Sequence, residues 1–338
     1  MNVGVVGATG MVGEIFMEIL GKRKFPVKNL RPFASEKSDG IKVSSCGQTW
    51  AVELLKPGCF SGLDLVFFSS GDDISREWAP QALSAGAFVV DNSAAFRDHQ
   101  TFPLVVPEVN GQVLPEKTKP TIIANPNCST IQLVVVLAAL RKFGLKEVRV
   151  ASFQSVSGAG KAGCDELLTQ TKEYIIEGHV KTPAKAFAHE IAFNCIPQIG
   201  GFNDNGFCSE EMKIMNETKK ILSLSELKVS AFTVRVPSLN AHSEAVWVTV
   251  DKAVDKEDIS AALENGEGLK FISHSNPEDY PTARMASGTN PVYVGRVHQD
   301  LNDSHTWLMW IVADNLLKGA ALNGIQIAER IFDITPKA

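Results

Sequence analysis

The chain has 338 residues, more than a single hydrophobic core usually supports, so we predict two domains. Its formal net charge of −5 argues against nucleic acid or an anionic membrane as a partner. No apolar run approaches the ~20 residues of a membrane span. The six cysteines have neither CxxC nor metal-ligand spacing, so we expect no zinc site and no disulfide scaffold. Without a signal-peptide pattern, the chain is expected to be cytoplasmic.

The first predicted element is a short buried strand over residues 3–6, which leads directly into a glycine-rich turn and a helix. The turn reads Gly7-Ala8-Thr9-Gly10-Met11-Val12-Gly13. Glycine at positions 7 and 10 lets the backbone approach a pyrophosphate, and Gly13 lets the helix pack close to the strand. The pattern predicts dinucleotide binding at the helix N-terminus; the alternative is a plain βα turn.

A polar segment at residues 33–40 is the candidate for choosing between NAD and NADP. NAD sites usually place a carboxylate at the end of the second strand, against the ribose hydroxyl. Here Ser35, Lys37 and Ser38 offer hydroxyls and a cation, which suit a 2′-phosphate. Glu36 and Asp39 oppose that interpretation, and a solvated loop is the alternative. We expect NADP.

The alternation of strands and helices continues along the first half of the chain. Residues 63–68 and 87–91 are predicted to be buried strands, and residues 74–85 the helix between them. This order predicts a doubly wound, Rossmann-type parallel sheet. The turn after the first of these strands, Ser69-Ser70-Gly71, is a second candidate cofactor contact.

The segment Asn125-Pro126-Asn127-Cys128-Ser129-Thr130-Ile131 lies between a predicted strand at 121–124 and a predicted helix at 131–140. Ser129 or Thr130 is expected to cap the helix. Cys128 would then lie at or just before its N-terminal turn, where the helix dipole favours the thiolate. The pattern predicts a cysteine nucleophile, and a small apolar filler is the alternative.

The second half of the chain is dominated by predicted strands, at residues 147–156, 229–237, 245–251, 292–297 and 306–312. Long β runs with few helices between them indicate a mixed or antiparallel sheet. Residues 316–332 are predicted to be a helix with small residues along one side. The predicted fold class is therefore α/β, with a Rossmann-type sheet followed by an α+β domain.

Several polar residues are candidates for binding or catalysis. Glu210 and Lys213 are three residues apart on a predicted helix and therefore share a face, although they could simply pair with one another. Arg97 and Arg235 could equally be surface charges. His242 could equally be a loop histidine whose hydrogen bonds are made within the protein.

Taken together, these residues and motifs closely resemble the aspartate-β-semialdehyde dehydrogenases. Besides the glycine turn and the cysteine segment, the matching motifs are Ser93-Ala94-Ala95-Phe96-Arg97, Pro107-Glu108-Val109-Asn110, Gln154-Ser155-Val156-Ser157-Gly158-Ala159-Gly160, Glu210-Glu211-Met212-Lys213, Arg235-Val236-Pro237, His242-Ser243-Glu244, Val294-Gly295-Arg296, and the final helix with Asn315, Gly319-Ala320-Ala321 and Gln326. They span essentially the whole chain in a specific order.

The resemblance implies an NADP-binding domain of residues 1–127 plus 313–338 and a catalytic and dimerisation domain of residues 128–312, in a homodimer or homotetramer. The implied reaction interconverts L-aspartyl-4-phosphate and L-aspartate 4-semialdehyde with NADP (NADPH), in lysine, threonine and methionine biosynthesis. No metal is implied.

The resemblance also implies a role for each matching residue. Cys128 would form a thioester, His242 would be the acid/base and Gln154 would orient the acyl-enzyme. Substrate contacts would come from five further residues: Arg235 for the α-carboxylate, Glu210 for the α-ammonium group, and Arg97, Lys213 and the nearby Asn127 for phosphate. The implied cofactor contacts are Gly7, Thr9, Gly10, Met11, Val12, Ser35, Lys37, Ser38, Ser70, Gly71, Ser157 and Gly158.

The sequence departs from the family pattern at two positions. Ala241 precedes His242 where glycine is common, so we expect no glycine-only conformation there. Lys37 stands where many members have arginine. The choice of Glu210 over Glu211 as a substrate contact rests on motif spacing alone.

Three other functions are compatible with parts of the sequence. N-acetyl-glutamyl-phosphate reductases usually have Pro-Gly-Cys-Tyr at the nucleophile, in contrast to Pro126-Asn127-Cys128-Ser129 here. A hydrolytic Cys-His enzyme would leave the glycine turn unexplained. A non-catalytic relative should have lost Cys128 or His242, and both are present.

Overall fold

The computed structural model describes residues 1–335, and the chain divides into two compact units. The first unit comprises Met1–Asn127 and Ala320–Ala338, and the second comprises Cys128–Gly319. The predicted return to the first unit was at position 313, where the last strand ends. In the structure the residues up to Gly319 still belong to the second unit, and the chain returns at Ala320.

The first unit is built on a parallel sheet. In chain order its elements are β1 (Asn2–Val6), α1 (Met11–Lys22), β2 (Asn29–Ala34), the hairpin β3 (Lys42–Ser45) and β4 (Gln48–Ala51), β5 (Glu53–Leu54), β6 (Leu65–Phe68), α2 (Asp72–Ser84), β7 (Phe88–Asp91), α3 (Pro107–Asn110) and β8 (Ile122–Ala124). The six-stranded sheet has the order β5-β2-β1-β6-β7-β8 with every pair parallel. The predicted Rossmann-type sheet is confirmed.

The second unit is built on a mixed sheet. Its elements are α4 (Cys128–Leu140), β9 (Leu145–Gln154), α5 (Gly160–Glu177), α6 (Ser209–Leu222), β10 (Lys228–Arg235), β11 (His242–Val250), α7 (Lys256–Glu264), β12 (Leu269–Ile272), α8 (Ala283–Ala286), β13 (Val292–Gln299) and β14 (Thr306–Ala313). The strand order is β10-β9-β11-β14-β13-β12. The outer pairs are parallel and the three inner pairs antiparallel, so the predicted mixed sheet is also confirmed.

The last helix completes the first unit. A π-helical stretch, Leu317–Ala321, leads into α9 (Leu322–Ile331), in place of the single predicted helix. α9 packs against α1, α3 and β7. Among residues 1–335, no helix has both the length and the apolar character needed to cross a bilayer.

The two faces of the mixed sheet differ in burial. α4, α6 and α7 cover one face, and α4 is buried almost all round because its residues are nearly all apolar. Along β11, side chains alternate between buried and half-buried, as expected for a strand with one covered face. The uncovered face carries large apolar side chains, including Phe232, Trp247 and Trp310. Phe232 is 56% exposed.

Candidate active site

The glycine turn of the first unit has the geometry that a bound pyrophosphate needs. Gly7 has φ +82°, which favours glycine. A Cβ on Gly13 would lie 2.0 Å from the Gly7 carbonyl oxygen, so its predicted role in close helix packing is confirmed. A Cβ on Gly10 would meet nothing closer than 3.4 Å. Gly10 therefore leaves open space at the N-terminus of α1, where a phosphate would be stabilised.

The end of β2 lies beside this turn. The Thr9 and Ser38 hydroxyl oxygens are 3.2 Å apart, so the segment predicted to bind a 2′-phosphate is adjacent to the glycine turn. Ser35 precedes a short 3₁₀ turn, and both Ser35 and Lys37 are exposed.

A third part of this edge of the sheet comes from the turn after β6. Gly71 is the N-cap residue of α2. The Ser70 hydroxyl is buried without a hydrogen-bond partner among the described residues. Parallel strands present their carboxyl ends at one edge, which is where such sheets bind ligands. These residues fit a dinucleotide.

Arg97 is buried and held by the backbone. Its Nε donates to the Asn125 carbonyl oxygen at 2.9 Å and its Nη2 to that of Asn92 at 3.0 Å. The Asn125 amide in turn donates to Asn92 Oδ1 at 2.7 Å and accepts from Asn323 Nδ2 of α9 at 2.7 Å. This network anchors the segment that contains the buried Asn127. Asn323 carried no signal in the sequence.

Cys128 is the first residue of α4, as predicted, and lies in the field of the helix N-terminus. Ser129 and Thr130 lie inside the first turn, so the prediction that one of them caps the helix is wrong. The helix simply begins earlier than its apolar run indicated. Gly319 packs directly on the cysteine, because a Cβ there would lie 2.9 Å from Cys128 Cβ.

His242 begins β11 and is fully buried. Its Nδ1 accepts a hydrogen bond from the Ser155 backbone N–H at 3.1 Å. Because that nitrogen accepts, the proton of the neutral imidazole is on Nε2. Burial and the nearby Arg235 guanidinium lower the pKa of His242 well below its ordinary value, so the ring is neutral. Nε2 is buried and has no hydrogen-bond partner among the described residues.

Asn315 organises the loops around this histidine. Its Oδ1 accepts from the hydroxyls of Ser155 and Ser157, at 3.1 Å each, and from the Ala241 backbone N–H at 3.0 Å. The hydroxyl of Ser157, which was predicted to contact the cofactor, therefore donates its hydrogen bond to Asn315.

The backbone before His242 is strained. Ala241 has φ +67°, a left-handed conformation that favours glycine. The conformation is not glycine-only, as expected, because alanine adopts it, but it is one that the sequence did not predict. The hydrogen bond from its N–H to Asn315 holds it there.

Arg235 lies at the end of β10, opposite Gln154 at the end of β9. Its Nη1 donates to the Ser155 carbonyl oxygen at 2.6 Å. Burial lowers the pKa of Arg235, while the charges of Glu210 and Cys128 oppose that shift. A Cβ on Gly158 would lie 2.8 Å from Arg235 Nη1 and 3.2 Å from His242 Nε2. A side chain at position 158 would therefore displace Arg235 and crowd His242.

Gln154 is almost completely buried, and its Nε2 donates to the Ser152 hydroxyl at 3.3 Å. Because β9 lies between β10 and β11, Gln154 is placed between the ends of the strands that carry Arg235 and His242.

The two adjacent carboxylates at the start of α6 have different surroundings. Glu211 accepts from the backbone N–H groups of Cys208 and Thr233, at 2.9 Å each, and so joins the helix to β10. Glu210 lies 3.4 Å from Lys213 Nζ and acts electrostatically on Arg235. The prediction that the two residues share a helix face is confirmed, and they also pair with one another, which was the alternative to a binding role.

The parallel sheet with its glycine turn defines a nucleotide-binding oxidoreductase domain. The second unit has a cysteine at a helix N-terminus, a neutral histidine and a buried arginine, groups of the kind that nucleophilic catalysis uses. No group of three or more His, Cys, Asp or Glu side chains within residues 1–335 could hold a metal ion.

Comparisons with known proteins agree with this class. The model "Semialdehyde dehydrogenase, NAD binding domain" matches residues 2–117, and "Semialdehyde dehydrogenase, dimerisation domain" matches residues 137–318. The aspartate-semialdehyde dehydrogenase of Aquifex aeolicus is 43% identical over 330 residues, which cover 97% of each chain. The crystal structure of aspartate semialdehyde dehydrogenase II from Vibrio cholerae has a TM-score of 0.94 at 43% identity and 98% coverage of each chain. Another structure of the Vibrio enzyme, at 42% identity and the same TM-score and coverage, is complexed with ASA.

The chain belongs to the aspartate-semialdehyde dehydrogenase family. It is an oxidoreductase of amino-acid biosynthesis with a nicotinamide-nucleotide-binding Rossmann domain.

Proposed function

We propose that the chain catalyses the reversible, NADP-dependent reductive dephosphorylation of L-aspartyl-4-phosphate to L-aspartate 4-semialdehyde through a thioester on Cys128. The observation that carries this proposal is the surroundings of Cys128. It begins α4, and the charge of the buried Arg235 reaches both Cys128 and the neutral His242.

The first half-reaction is acyl transfer to sulfur. The helix N-terminus and the Arg235 charge stabilise a Cys128 thiolate, which attacks the acyl carbon and expels phosphate. Gln154, fixed by Ser152, orients the acyl group. The nicotinamide, when bound, supplies the hydride for the reduction of the thioester. The Nε2–H of His242 donates a hydrogen bond to the oxyanion of the tetrahedral intermediate, which collapses to the aldehyde as the C–S bond breaks and Cys128 leaves as the thiolate.

Substrate recognition divides between the charged groups. Arg235 holds the α-carboxylate with a planar fork, which suits bidentate binding. Glu210 meets the α-ammonium group; Glu211 is unsuited to that role, because both of its oxygens accept backbone N–H groups. Lys213 and Arg97 are the proposed phosphate cations, with Asn127 nearby. Each is a charge or amide of the kind that a dianionic phosphate requires.

NADP is the proposed cofactor, bound by residues 1–127 together with the last helix. The hydroxyls of Thr9, Ser35 and Ser38 beside the exposed Lys37 support a 2′-phosphate at the end of β2. Ser70 and Gly71 are the proposed contacts of the β6 turn. The remaining proposed contacts are Gly7, Gly10, Met11, Val12, Ser157 and Gly158.

A homodimer or homotetramer is the proposed assembly, with the uncovered face of the mixed sheet as the interface. The match of residues 137–318 to a dimerisation-domain model supports this. So do the half-buried Trp247 and Trp310 and the exposed Phe232, since large apolar patches mark interfaces. We propose that the protein works in the cytoplasm, in the pathway to lysine, threonine and methionine.

Steady-state kinetics and mass spectrometry test the reaction. The wild type should reduce NADP with aspartate semialdehyde and phosphate, and much more slowly with N-acetylglutamate semialdehyde or with NAD. Cys128→Ala should be inactive, and Cys59→Ala, which changes a buried cysteine of the first unit, is the matched control. An acyl adduct should accumulate on Cys128 when aspartyl phosphate is supplied without NADPH. Near-normal turnover by Cys128→Ala would refute the proposal.

A further inference from the structure

A buried carboxyl group lies beneath the proposed catalytic pair and has no role in the reaction as described above. Glu244 is completely buried in β11, two residues after His242 and therefore on the same face of the strand. α4 packs on β9 and β14, the two strands that flank β11, and its Gln132 side chain acts on the Glu244 carboxyl. Gln132 lies four residues after Cys128 and therefore on the same side of the helix. Gln132 and Glu244 thus form a second layer of the helix–sheet interface. This layer lies one helical turn along α4 from Cys128 and two residues along β11 from His242.

This second layer is polar but incompletely paired. Gln132 Nε2 and both carboxyl oxygens of Glu244 are buried without a hydrogen-bond partner of normal geometry among the described residues. Buried polar atoms are nearly always paired, so three such atoms in two facing side chains call for a donor. A protonated carboxyl supplies one, because its O–H can donate to the Gln132 oxygen while its carbonyl oxygen accepts from the amide. An ionised carboxylate lacks that donor.

No charged residue lies directly opposite Glu244 on the two neighbouring strands. Across the strands it faces Ser152 on β9 and Ile311 on β14. The titratable or charged groups on this strand and on the elements around it include His242 on its own strand, Cys128 on α4, Lys146, Glu147 and Arg149 on β9, Arg235 on β10, Glu210, Glu211, Lys213, Glu217, Lys219 and Lys220 on α6, and Lys318 in the π-helical stretch. Burial raises the pKa of Glu244 to about 8, and the Gln132 amide is the group that opposes the rise.

We propose that Glu244 is a neutral positioning residue that keeps the layer beneath Cys128 and His242 uncharged, and that its ionisation inactivates the enzyme at alkaline pH. The proposal rests on the proposed function, because it takes Cys128 as the nucleophile and neutral His242 as the group that assists the reaction of the acyl intermediate. A negative charge beneath α4 would raise the pKa of the Cys128 thiol and compete for the helix N-terminus. It would also favour protonated His242 over the neutral imidazole on which the proposed reaction depends.

The pH profile of kcat/KM separates this role from a purely structural one. Wild-type activity should fall about tenfold for each pH unit above the ionisation of Glu244, since the limbs of such a profile report essential groups of the free enzyme. Glu244→Gln keeps the shape and both hydrogen bonds without a titrating proton. It should retain activity at neutral pH within a few-fold and lose this alkaline limb. The control is Glu166→Gln, which makes the same chemical change at a second buried carboxyl. Unlike Glu244, Glu166 accepts backbone N–H groups, and this variant should keep the alkaline limb of the profile.

One further variant and two further measurements test the role of Glu244 independently of turnover. Gln132→Met removes the amide that lowers the pKa of Glu244, so the alkaline limb should move to higher pH. The rate of Cys128 alkylation by iodoacetamide, followed on its peptide by mass spectrometry, should show the same inflection without any substrate. An infrared band of a protonated carboxyl that disappears on alkaline titration of the wild type would assign the proton directly.

The outcomes distinguish the two proposals. Loss of the inflection in Glu244→Gln, with retention in Glu166→Gln, supports the role of Glu244. The same inflection in wild type and Glu244→Gln, or a wild type without the protonated carboxyl band at neutral pH, overturns it. Failure of the proposed function appears separately, as turnover that survives Cys128→Ala.

Discussion

Replacement of Gly319 by alanine tests how tightly the chain packs around Cys128. Helix propensity alone predicts a gain of about 1 kcal/mol, because alanine is the better residue in a helical segment. Here the new Cβ would lie 2.9 Å from Cys128 Cβ, closer than real Cβ contacts. Cys128 has little room to retreat, since the residues after it in α4 are fully buried.

The clash should therefore outweigh the helix propensity. Overpacking of a well-packed site costs about 1–3 kcal/mol, which leaves a net destabilisation of about 0–2 kcal/mol. The melting temperature should fall by about 2–4 °C for each kcal/mol lost. The effect on catalysis should be larger, because a displacement of about 1 Å in a reacting group can cost about 100-fold in rate. We expect kcat to fall about 10- to 100-fold.

Thermal melts and steady-state kinetics measure both effects. Gly201→Ala is the matched control, because it makes the same chemical change where a Cβ meets nothing within 4 Å. The rate of Cys128 alkylation should change in Gly319→Ala and stay constant in the control. If Gly319→Ala turned over like the wild type and melted higher, the packing argument would be refuted.

Four further substitutions test individual features of the site. His242→Ala should lower kcat by about 10²–10⁴-fold, because it removes general acid–base assistance; a smaller loss in steady-state assays would contradict that role. Arg235→Lys should raise KM for aspartate semialdehyde about 10- to 100-fold with a smaller change in kcat, since it keeps the charge but loses the planar fork. Ala241→Gly should raise the melting temperature, because it removes the cost of about 1–2 kcal/mol of holding a non-glycine residue in a left-handed conformation. The greater entropy of glycine in the unfolded chain offsets part of this gain. Glu244 should make stability depend on pH: its pKa is raised from 4.5 to about 8 in the folded state, so the folded chain holds a proton that the unfolded chain has lost. As pH rises between these values, wild-type stability should fall relative to Glu244→Gln, by at most about 5 kcal/mol. Melts of both proteins across this range check the sign, and a constant difference would count against it.

The sequence was most informative where function depends on local backbone geometry. The strand, turn and helix around Gly7 and Gly13 follow from apolar periodicity and from the space that only glycine leaves, and the structure has all three. The position of Cys128 at the start of a helix also follows from a few consecutive residues. Helix α5 was missed because it buries few apolar residues and so lacks the stripe from which helices are predicted.

The sequence by itself therefore determined the two sheet types, the glycine turn, the helix N-terminal cysteine and the family. Only the tertiary structure decided the tautomer of His242, the commitment of Glu211 to backbone N–H groups, the left-handed Ala241 and the facing of Gln132 and Glu244. The reason is physical. Secondary structure and turns reflect interactions between near neighbours in the chain, whereas protonation and orientation in the site depend on burial and on hydrogen bonds between residues far apart in sequence.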